Sequence, residues 1–525
     1  MRSLALRRYS ILSIALLTPM MLLAASSTPQ VKTHSGTVEG KDDGKVKSFL
    51  GIPYAQPPVG DLRWKAPLPI AKWSGVKKAT AFGSHCMQGN VFGDMVFHDP
   101  GASEDCLTLN IWVPDKHVEP KLPVMVWIYG GGFVAGTTSE ARQDGWHLAQ
   151  QGVIVVSMNY RLGVFGFFVH QDLAKESGHN SAGNYGLLDQ LEALKWVHEN
   201  ISAFGGDPAN ITIFGESAGS FSVSSQMASP LAKGLFHRAI GESGAAFSHS
   251  GLTFAEMSAR AEKDTNLMKE KFGVTSLAEL RAIPADKLLE PFAPPKSHGF
   301  EFGPDIDGYF LPEPVSAIFA AGKQNDVALL AGWNHDEGSF ELTQKPTAES
   351  FKAEAQKDFE DKADEFLKLY PSDTPEHLIR SALDYAGDKF IAMSTWAWIE
   401  AQTKTGKQPT YRYRFDMAPF YKDPNAPRMG AYHSAGIEYV FGQLDSKTDV
   451  TWRESDRQVS DIMQKYWSNF AKNGNPNGAG LPTWPPYTAA DGWPVMILNA
   501  EPAPKKDDLR DRYLFLSKEW GKTKD

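Results

Sequence analysis

The chain has 525 residues, of which 42% are hydrophobic and 22% are charged, a composition typical of a globular protein. The length permits two to four domains, although large α/β enzymes can hold one sheet with long insertions. The formal net charge is −9 and no basic block follows the N-terminus, so nucleic acid is not expected as a partner.

The N-terminus has the pattern of a secretory signal peptide. Arg2, Arg7 and Arg8 precede an apolar run from Ile11 to Leu23, and the small residues from Ala24 to Ser27 suit cleavage. We therefore predict a signal peptide over residues 1–25 and a periplasmic or secreted protein. A retained N-terminal anchor is the alternative. No later stretch is apolar enough for a membrane helix, so no stable membrane insertion is expected after signal removal.

The sequence contains two cysteines, Cys86 and Cys106. An exported protein meets an oxidising compartment, where two cysteines allow a single pairing. The alternative is a pair of buried free thiols.

A continuous apolar run from Pro123 to Tyr129 ends in three glycines, Gly130 to Gly132. Such a run suits a strand that is buried on both faces of a parallel sheet. Glycines at a strand end let backbone N–H groups approach a ligand, which favours an oxyanion-binding role over a flexible turn.

Strands and helices alternate in the middle of the chain. Val153 to Met158 is a further predicted strand, Gly186 to Ile201 has helical spacing of its leucines, and another strand begins at Ile211. This alternation predicts a mostly parallel sheet with crossover helices.

The strand from Ile211 leads into Gly215-Glu216-Ser217-Ala218-Gly219, which fits the G-x-S-x-G pattern of a nucleophile elbow. A sharp turn into a helix over Ser217 to Met227 exposes the serine hydroxyl. The N–H of Ala218 then lies at a helix start, where it can bind a developing oxyanion. An ordinary glycine-rich turn is the alternative for this weak motif.

A serine nucleophile needs a base, usually a histidine oriented by a carboxylate, and on such a sheet the acid precedes the histidine in the chain. A predicted strand, Val327 to Gly332, runs into Asp336 and Glu337, and spacing does not decide between them. Two histidines follow. His377 lies in a charged helical start typical of a surface, whereas His433 lies in a loop of small residues, and we favour His433.

The C-terminal half adds a strand over Thr410 to Phe415 and an amphipathic helix whose stripe runs from Val459 to Phe470. An acidic helical region over Ala348 to Tyr370 is predicted to be a solvated outer face. Without repeats or low-complexity linkers, we predict one domain over residues 26–525.

Four motifs together resemble the type-B carboxylesterase/lipase family, which includes the cholinesterases and the bacterial para-nitrobenzyl esterases. They are the G-x-S-x-G motif, the glycine run, the segment from Ser103 to Asn110, and Asp336-Glu337-Gly338. The resemblance extends from about Val31 to about Leu516. It implies an α/β-hydrolase fold, with a central mostly parallel sheet flanked by helices and large insertions forming a gorge.

The resemblance also implies roles for individual residues. Ser217, Glu337 and His433 would be the catalytic triad, and the N–H groups of Gly131, Gly132 and Ala218 the oxyanion hole. Glu216 would act on the environment of the histidine from outside the triad. Cys86 and Cys106 would pair as a disulfide, and structural ion pairs would join Arg63 to Glu104 and Arg161 to Asp189.

The sequence departs from the cholinesterases, which hold a quaternary ammonium by cation–π contact with a tryptophan in the cysteine loop. At the matching distance before Cys106 this chain has Val96, and Phe92 and Phe97 are weaker substitutes. A specialist for choline esters is therefore not expected.

The expected function is a serine carboxylesterase that hydrolyses small-molecule esters, short-chain or aromatic, through an acyl-enzyme. Neither a metal nor an organic cofactor is implied, and the sequence gives no oligomeric state. Phe133, Phe302 and Trp333 are the expected neighbours of the substrate. A lipase, an amidase or a hydrolase of polymer-derived esters is the first alternative, and a binding protein on the same fold is the second.

Overall fold

The computed structural model describes residues 28–116, 120–247, 254–340 and 345–522. The signal peptide predicted for residues 1–25 lies outside the described residues. The buried hydrophobic side chains of these ranges form one continuous core that includes the strands of a large sheet.

Eighteen strands occur in the described part of the chain. Their bounds are β1 Gln30–Lys32, β2 Thr37–Glu39, β3 Lys41–Asp42, β4 Val46–Pro53, β5 Val76–Lys78, β6 His85–Cys86, β7 Ala102–Ser103, β8 Thr108–Pro114, β9 Leu122–Ile128, β10 Ile154–Met158, β11 Gly206–Glu216, β12 Arg238–Glu242, β13 Ala255–Glu256, β14 Asp305–Ile306, β15 Ala328–Asn334, β16 Thr410–Phe415, β17 Pro494–Leu498 and β18 Ala503–Lys506.

Within the described residues, eleven of these strands form the central sheet, in the order β18-β17-β16-β15-β12-β11-β9-β10-β8-β4-β3. The neighbours from β17 to β10 run parallel, and the strands at both edges pair antiparallel. Strand β9 is buried along its whole length between two parallel neighbours, which explains its unbroken apolar sequence.

The sixteen α-helices of the same ranges are α1 Trp146–Ala149, α2 Gly163–Phe167, α3 Gln171–Glu176, α4 Tyr185–Asn200, α5 Ala218–Ala228, α6 Met257–Phe272, α7 Leu277–Ala282, α8 Ala285–Leu289, α9 Val315–Ala320, α10 Ala348–Phe359, α11 Ala363–Leu369, α12 Pro375–Gly387, α13 Met393–Thr405, α14 Ile437–Phe441, α15 Glu454–Asn473 and α16 Arg510–Lys522. A π-helical segment, Asp388–Ala392, joins α12 to α13. Helices α4, α5, α13 and α15 pack against the sheet, so the predicted α/β-hydrolase architecture is confirmed.

The acidic region over Ala348 to Tyr370 differs from its prediction as a solvated outer face. Helices α10 and α11 bury Phe351, Phe359 and Phe366, and the rings of Phe359 and Phe366 stack with centroids 4.7 Å apart. Phe366 also meets Tyr385 of α12 at 4.7 Å. The many charged residues made this region look solvent-exposed in the sequence. Its phenylalanines are buried because they pack against helices that lie further along the chain.

Several covalent and ionic links agree with the resemblance. Cys86 and Cys106 form a disulfide. Arg63 donates two hydrogen bonds of 2.7 Å to the carboxylate of Glu104. Arg161 likewise binds Asp189, and both of these side chains are buried.

The described ranges contain no helix that is both long and apolar enough to cross a bilayer.

Candidate active site

Ser217 lies on a strained turn between β11 and α5. Its backbone has φ 55° and ψ −124°, a conformation that L residues rarely adopt and that is held by its surroundings. The N–H of Ser217 donates to the carbonyl of Glu242 at the end of β12, at 2.9 Å. The turn therefore holds the serine at the carboxyl edge of the sheet, where α/β proteins bind ligands.

Two glycines make this turn possible. A Cβ on Gly215 would lie 2.6 Å from the backbone of Gly219, and a Cβ on Gly219 would lie 1.9 Å from the carbonyl oxygen of Ile128 in β9. No real Cβ can occupy either place. The spacing of the G-x-S-x-G motif thus reflects close packing of α5 against two strands.

The glycine run follows β9, the neighbour of β11 in the sheet. Gly131 and Gly132 have φ of 108° and 63°, and their N–H groups have no acceptor within the described part of the chain. Ala218 is the first residue of α5, so its N–H has no partner inside the helix. Gly131 and Gly132 border the same cavity as Ser217.

His433 and Glu337 form a short polar contact at this edge of the sheet. Nδ1 of His433 lies 2.6 Å from Oε2 of Glu337, whose other oxygen accepts a 2.8 Å hydrogen bond from the N–H of Asn334. Glu337 is buried, directly after β15. Its carboxylate is thus held by the backbone on one side and holds the imidazole on the other.

Asp336 has a different set of partners. Its carboxylate accepts hydrogen bonds from Arg380 and from the N–H of Ala431, two residues before His433. His377 is exposed and pairs with Asp373 at 2.7 Å. The geometry therefore separates the two acids and the two histidines that spacing left open.

Glu216 lies on the far side of the imidazole. Its Oε1 is 3.4 Å from Nε2 of His433 and has no hydrogen-bond partner within the described residues. Burial raises the pKa of Glu216 to about 7, against the attraction of His433. Burial opposes protonation of His433, but the carboxylates of Glu216 and Glu337 outweigh it and raise its pKa to about 9.

Ser217, Glu216 and His433 border one cavity of about 780 Å³, which is within the range of small-molecule sites. Eight aromatic side chains contribute to its walls. The aromatic side chains that border it are Phe92, Tyr129, Phe221, Phe300, Phe340, Phe351, Tyr385 and Phe390. The rings of Phe390 and Phe340 lie 5.0 Å and 5.9 Å from the His433 ring, so aromatic side chains lie beside the imidazole as well as the two carboxylates.

The three aromatic residues expected beside the substrate do not border this cavity, and that expectation is corrected. Phe133 turns inward against Phe167, and Phe302 packs on Phe292. Trp333 lies 4.4 Å from the guanidinium of Arg412. Each is close in sequence to a site motif, but its side chain points into the core.

Sequence reasoning missed a charged part of the wall. Arg142 is 2.6 Å from Glu140 and 3.7 Å from Asp94, and all three border the cavity. Lys345, Glu354 and Lys389 border it elsewhere. No short motif marks these residues, because they come together only through the fold.

Metal-ligand geometry is not found at the site: the described ranges hold no group of three or more histidine, cysteine or acidic side chains placed to bind an ion.

Comparisons with known proteins place this geometry in a family. The model of the carboxylesterase family matches residues 27–514. A fumonisin B1 esterase of Sphingopyxis macrogoltabida is 36% identical over 489 residues, covering 90% of this chain and 87% of that protein. A para-nitrobenzyl esterase of Bacillus subtilis (strain 168) is 38% identical over 475 residues, covering 87% and 92%.

Solved structures agree. A PNB esterase superimposes with a TM-score of 0.78 at 35% identity, covering 93% of this chain and 99% of the other. A thermophilic PNB esterase gives 0.79 at 35% identity, with 93% and 100% covered. The resemblance read from the motifs is thus confirmed, and the chain belongs to the carboxylesterase family as a carboxylic ester hydrolase.

Proposed function

We propose that the protein hydrolyses esters through a Ser217–His433–Glu337 triad and an acyl-enzyme intermediate. The observation that carries this proposal is the 2.6 Å contact between Nδ1 of His433 and Oε2 of Glu337. Nε2 of the imidazole takes no part in that contact, and His433 and Ser217 both border the same cavity. A histidine oriented by a carboxylate, next to a serine on a strained elbow, is the arrangement that activates a hydroxyl.

The chemistry follows from these positions. His433 takes the proton of the Ser217 hydroxyl, and the oxygen attacks the ester carbonyl. His433 then gives the proton to the departing alcohol. Water repeats the cycle on the acyl-enzyme and releases the acid. Glu337 holds the tautomer in which Nε2 is the base and stabilises the imidazolium that forms.

The negative charge that develops on the carbonyl oxygen needs donors that are already in place. The N–H groups of Gly131, Gly132 and Ala218 are the proposed donors. Their support is that the first two are without an acceptor in the described part of the chain and that the third starts a helix. Loss of one such donor costs about 3–4 kcal/mol of transition-state stabilisation in other enzymes.

The proposed substrates are small esters with short-chain or aromatic groups. The aromatic walls of the cavity suit flat or compact apolar groups. A relative at 38% identity is a para-nitrobenzyl esterase, which is consistent with this proposal.

The test is a series of p-nitrophenyl esters from acetate to palmitate, assayed with the wild type and with Ser217→Ala. We expect the highest kcat/KM at short chains and loss of turnover in the variant. Ser225→Ala is a matched control, since Ser225 lies on the same helix and its hydroxyl only bonds the Phe221 carbonyl, at 2.8 Å. Near-normal rates in Ser217→Ala would refute the mechanism, and a maximum at long chains would indicate a lipase.

We also propose that the protein acts in the periplasm or outside the cell. The support is the arginine-led apolar run at the N-terminus and the Cys86–Cys106 disulfide, which an oxidising compartment favours. Fractionation of expressing cells, with N-terminal sequencing of the mature protein, tests this. Activity that stays in the cytoplasm with an intact N-terminus would refute it.

A further inference from the structure

The charges on the cavity wall are divided between two places. Three cationic and four acidic side chains border the cavity besides His433: Arg142, Lys345 and Lys389, and Asp94, Glu140, Glu216 and Glu354. Three of the four acids act on one cation, Arg142, and the fourth, Glu354, pairs with Lys389. Arg142 with its three acids is called the acidic end below, and the other charged residues that border the cavity, Lys345, Lys389 and Glu354, are called the lysine group.

The acidic end is already balanced around Arg142. Its guanidinium lies 2.6 Å from Glu140 and 3.7 Å from Asp94, and the charge of Glu216 also acts on it. The Arg142 side chain is only 13% exposed. A further anion placed here would meet more negative than positive charge.

Among the side chains that border the cavity, the lysine group has two cations and one carboxylate. Nζ of Lys389 is 2.5 Å from Oε1 of Glu354 and 4.2 Å from the centre of the Tyr385 ring. Lys345 is exposed and has no ion-pair partner among the described residues. Glu354 thus pairs with Lys389, and the ammonium group of Lys345 is left without a carboxylate partner in the described part of the chain.

The position of Lys389 ties this charge to the reaction site. Lys389 immediately precedes Phe390, whose ring lies 5.0 Å from that of His433. Both side chains come from the π-helical segment and border the same cavity. A substrate whose ester lies at Ser217 can therefore extend along aromatic walls toward an ammonium group.

We propose that Lys345 and Lys389 form a subsite for a carboxylate that the substrate carries away from the scissile ester. The enzyme then prefers esters with a free carboxylate, such as half-esters of dicarboxylic acids, over neutral esters of the same size. This inference rests on the proposed function, because it assumes that the ester reacts at Ser217. Lysine ammonium groups bind carboxylates as point charges, so the preference depends on charge more than on exact shape.

Two pairs of probes test the subsite from either side of the ester. Mono(4-nitrophenyl) glutarate is compared with 4-nitrophenyl pentanoate, and 4-butyryloxybenzoic acid with its methyl ester. In the double variant Lys345→Met/Lys389→Met, we expect the ratio of kcat/KM, acid over neutral, to fall about fivefold for at least one pair. Lys352→Met is the matched control, an exposed lysine of α10 away from the cavity, and leaves both ratios unchanged.

The salt dependence of the wild-type preference is a second test of the subsite, and it needs no variant. Raising NaCl from 50 to 500 mM should reduce the wild-type preference for the same acid probe, because exposed charges are screened. Ratios within twofold of wild type for both pairs in the double variant, or a preference that does not respond to salt, would overturn the subsite. Failure of the proposed function looks different: Ser217→Ala would then still hydrolyse the neutral probes.

Discussion

The floor and the outer wall of the cavity are built in different ways. The floor consists of residues at the carboxyl ends of β9 and β11, together with His433 and the Glu337 carboxylate that holds it after β15; these three strands run parallel in the central sheet. The wall around Tyr385 and Phe390 consists of side chains from α10, α12 and the π-helical segment. The floor fixes atoms to within a hydrogen bond, whereas the wall mainly offers shape and charge. Changes to the floor should therefore alter the rate, and changes to the wall the choice of substrate.

The largest effect is expected for Glu337→Gln. An amide can donate to Nδ1 of His433 and so hold the wrong tautomer, which lowers kcat by about 10⁴-fold in a comparable triad. Steady-state kinetics with a p-nitrophenyl ester measure the loss, and the melting temperature checks the fold. Asp336→Asn is the control and should lose far less, because that carboxylate binds Arg380 and Ala431. Equal losses in both variants would argue against the assignment of the acid.

Gly219→Ala tests the packing beneath the floor. The added Cβ would lie 1.9 Å from the Ile128 carbonyl oxygen, so α5 must shift and carry Ser217 with it. A displacement of about 1 Å costs about 10²-fold in rate. Gly303→Ala is a control at a position with open space around the Cβ. Wild-type kcat in Gly219→Ala would show that the elbow tolerates this shift.

Glu216→Gln should move the pH dependence rather than abolish activity. The negative charge of Glu216 helps to raise the pKa of His433 to about 9, and only neutral imidazole acts as the base. Removing that charge lowers the pKa, so the acidic limb of kcat/KM should move down by about 1 on the pH scale. A profile from pH 5 to pH 10 measures the change. An unchanged or upward-shifted limb would exclude this role.

The smallest effect is expected on the wall. Phe340 is 41% exposed, and its ring lies 5.9 Å from that of His433. Loss of one aromatic contact is worth about 0.5–1.5 kcal/mol, so Phe340→Ala should raise KM for aromatic esters about threefold to tenfold, more than it lowers kcat. Phe420→Ala, 60% exposed and away from the cavity, is the control. A fall in kcat with KM unchanged would show that Phe340 affects the rate of the reaction, as floor residues do, and not the binding of the substrate.

The same comparison explains what the sequence could predict. Ser217 and the glycine run were recognised because the conformation of each depends on residues one or two positions away. His433 was separated from His377 by the composition of its loop. Spacing could not separate Glu337 from Asp336, since neighbouring acids differ only in where the backbone directs them, and the resemblance was needed.

The wall was poorly predicted because its contacts are distant in the chain. Phe302 was expected at the substrate, yet it packs in the core while Phe300 borders the cavity. The two residues differ by side-chain direction, which depends on the path of a loop. The apolar face of α10 and α11 was hidden for a similar reason, since its partners on α12 and α16 are separate segments.

The order of strands in the sheet has a consequence for how activity first arises in a folding chain. Ser217 and His433 are far apart in sequence. Strands β12, β15 and β16 must pair in the sheet next to β11 before the two side chains can border the same cavity. Contacts of such long range are slow to form. During refolding, ester hydrolysis should therefore return later than helical content, and its return reports that β12, β15 and β16 have paired.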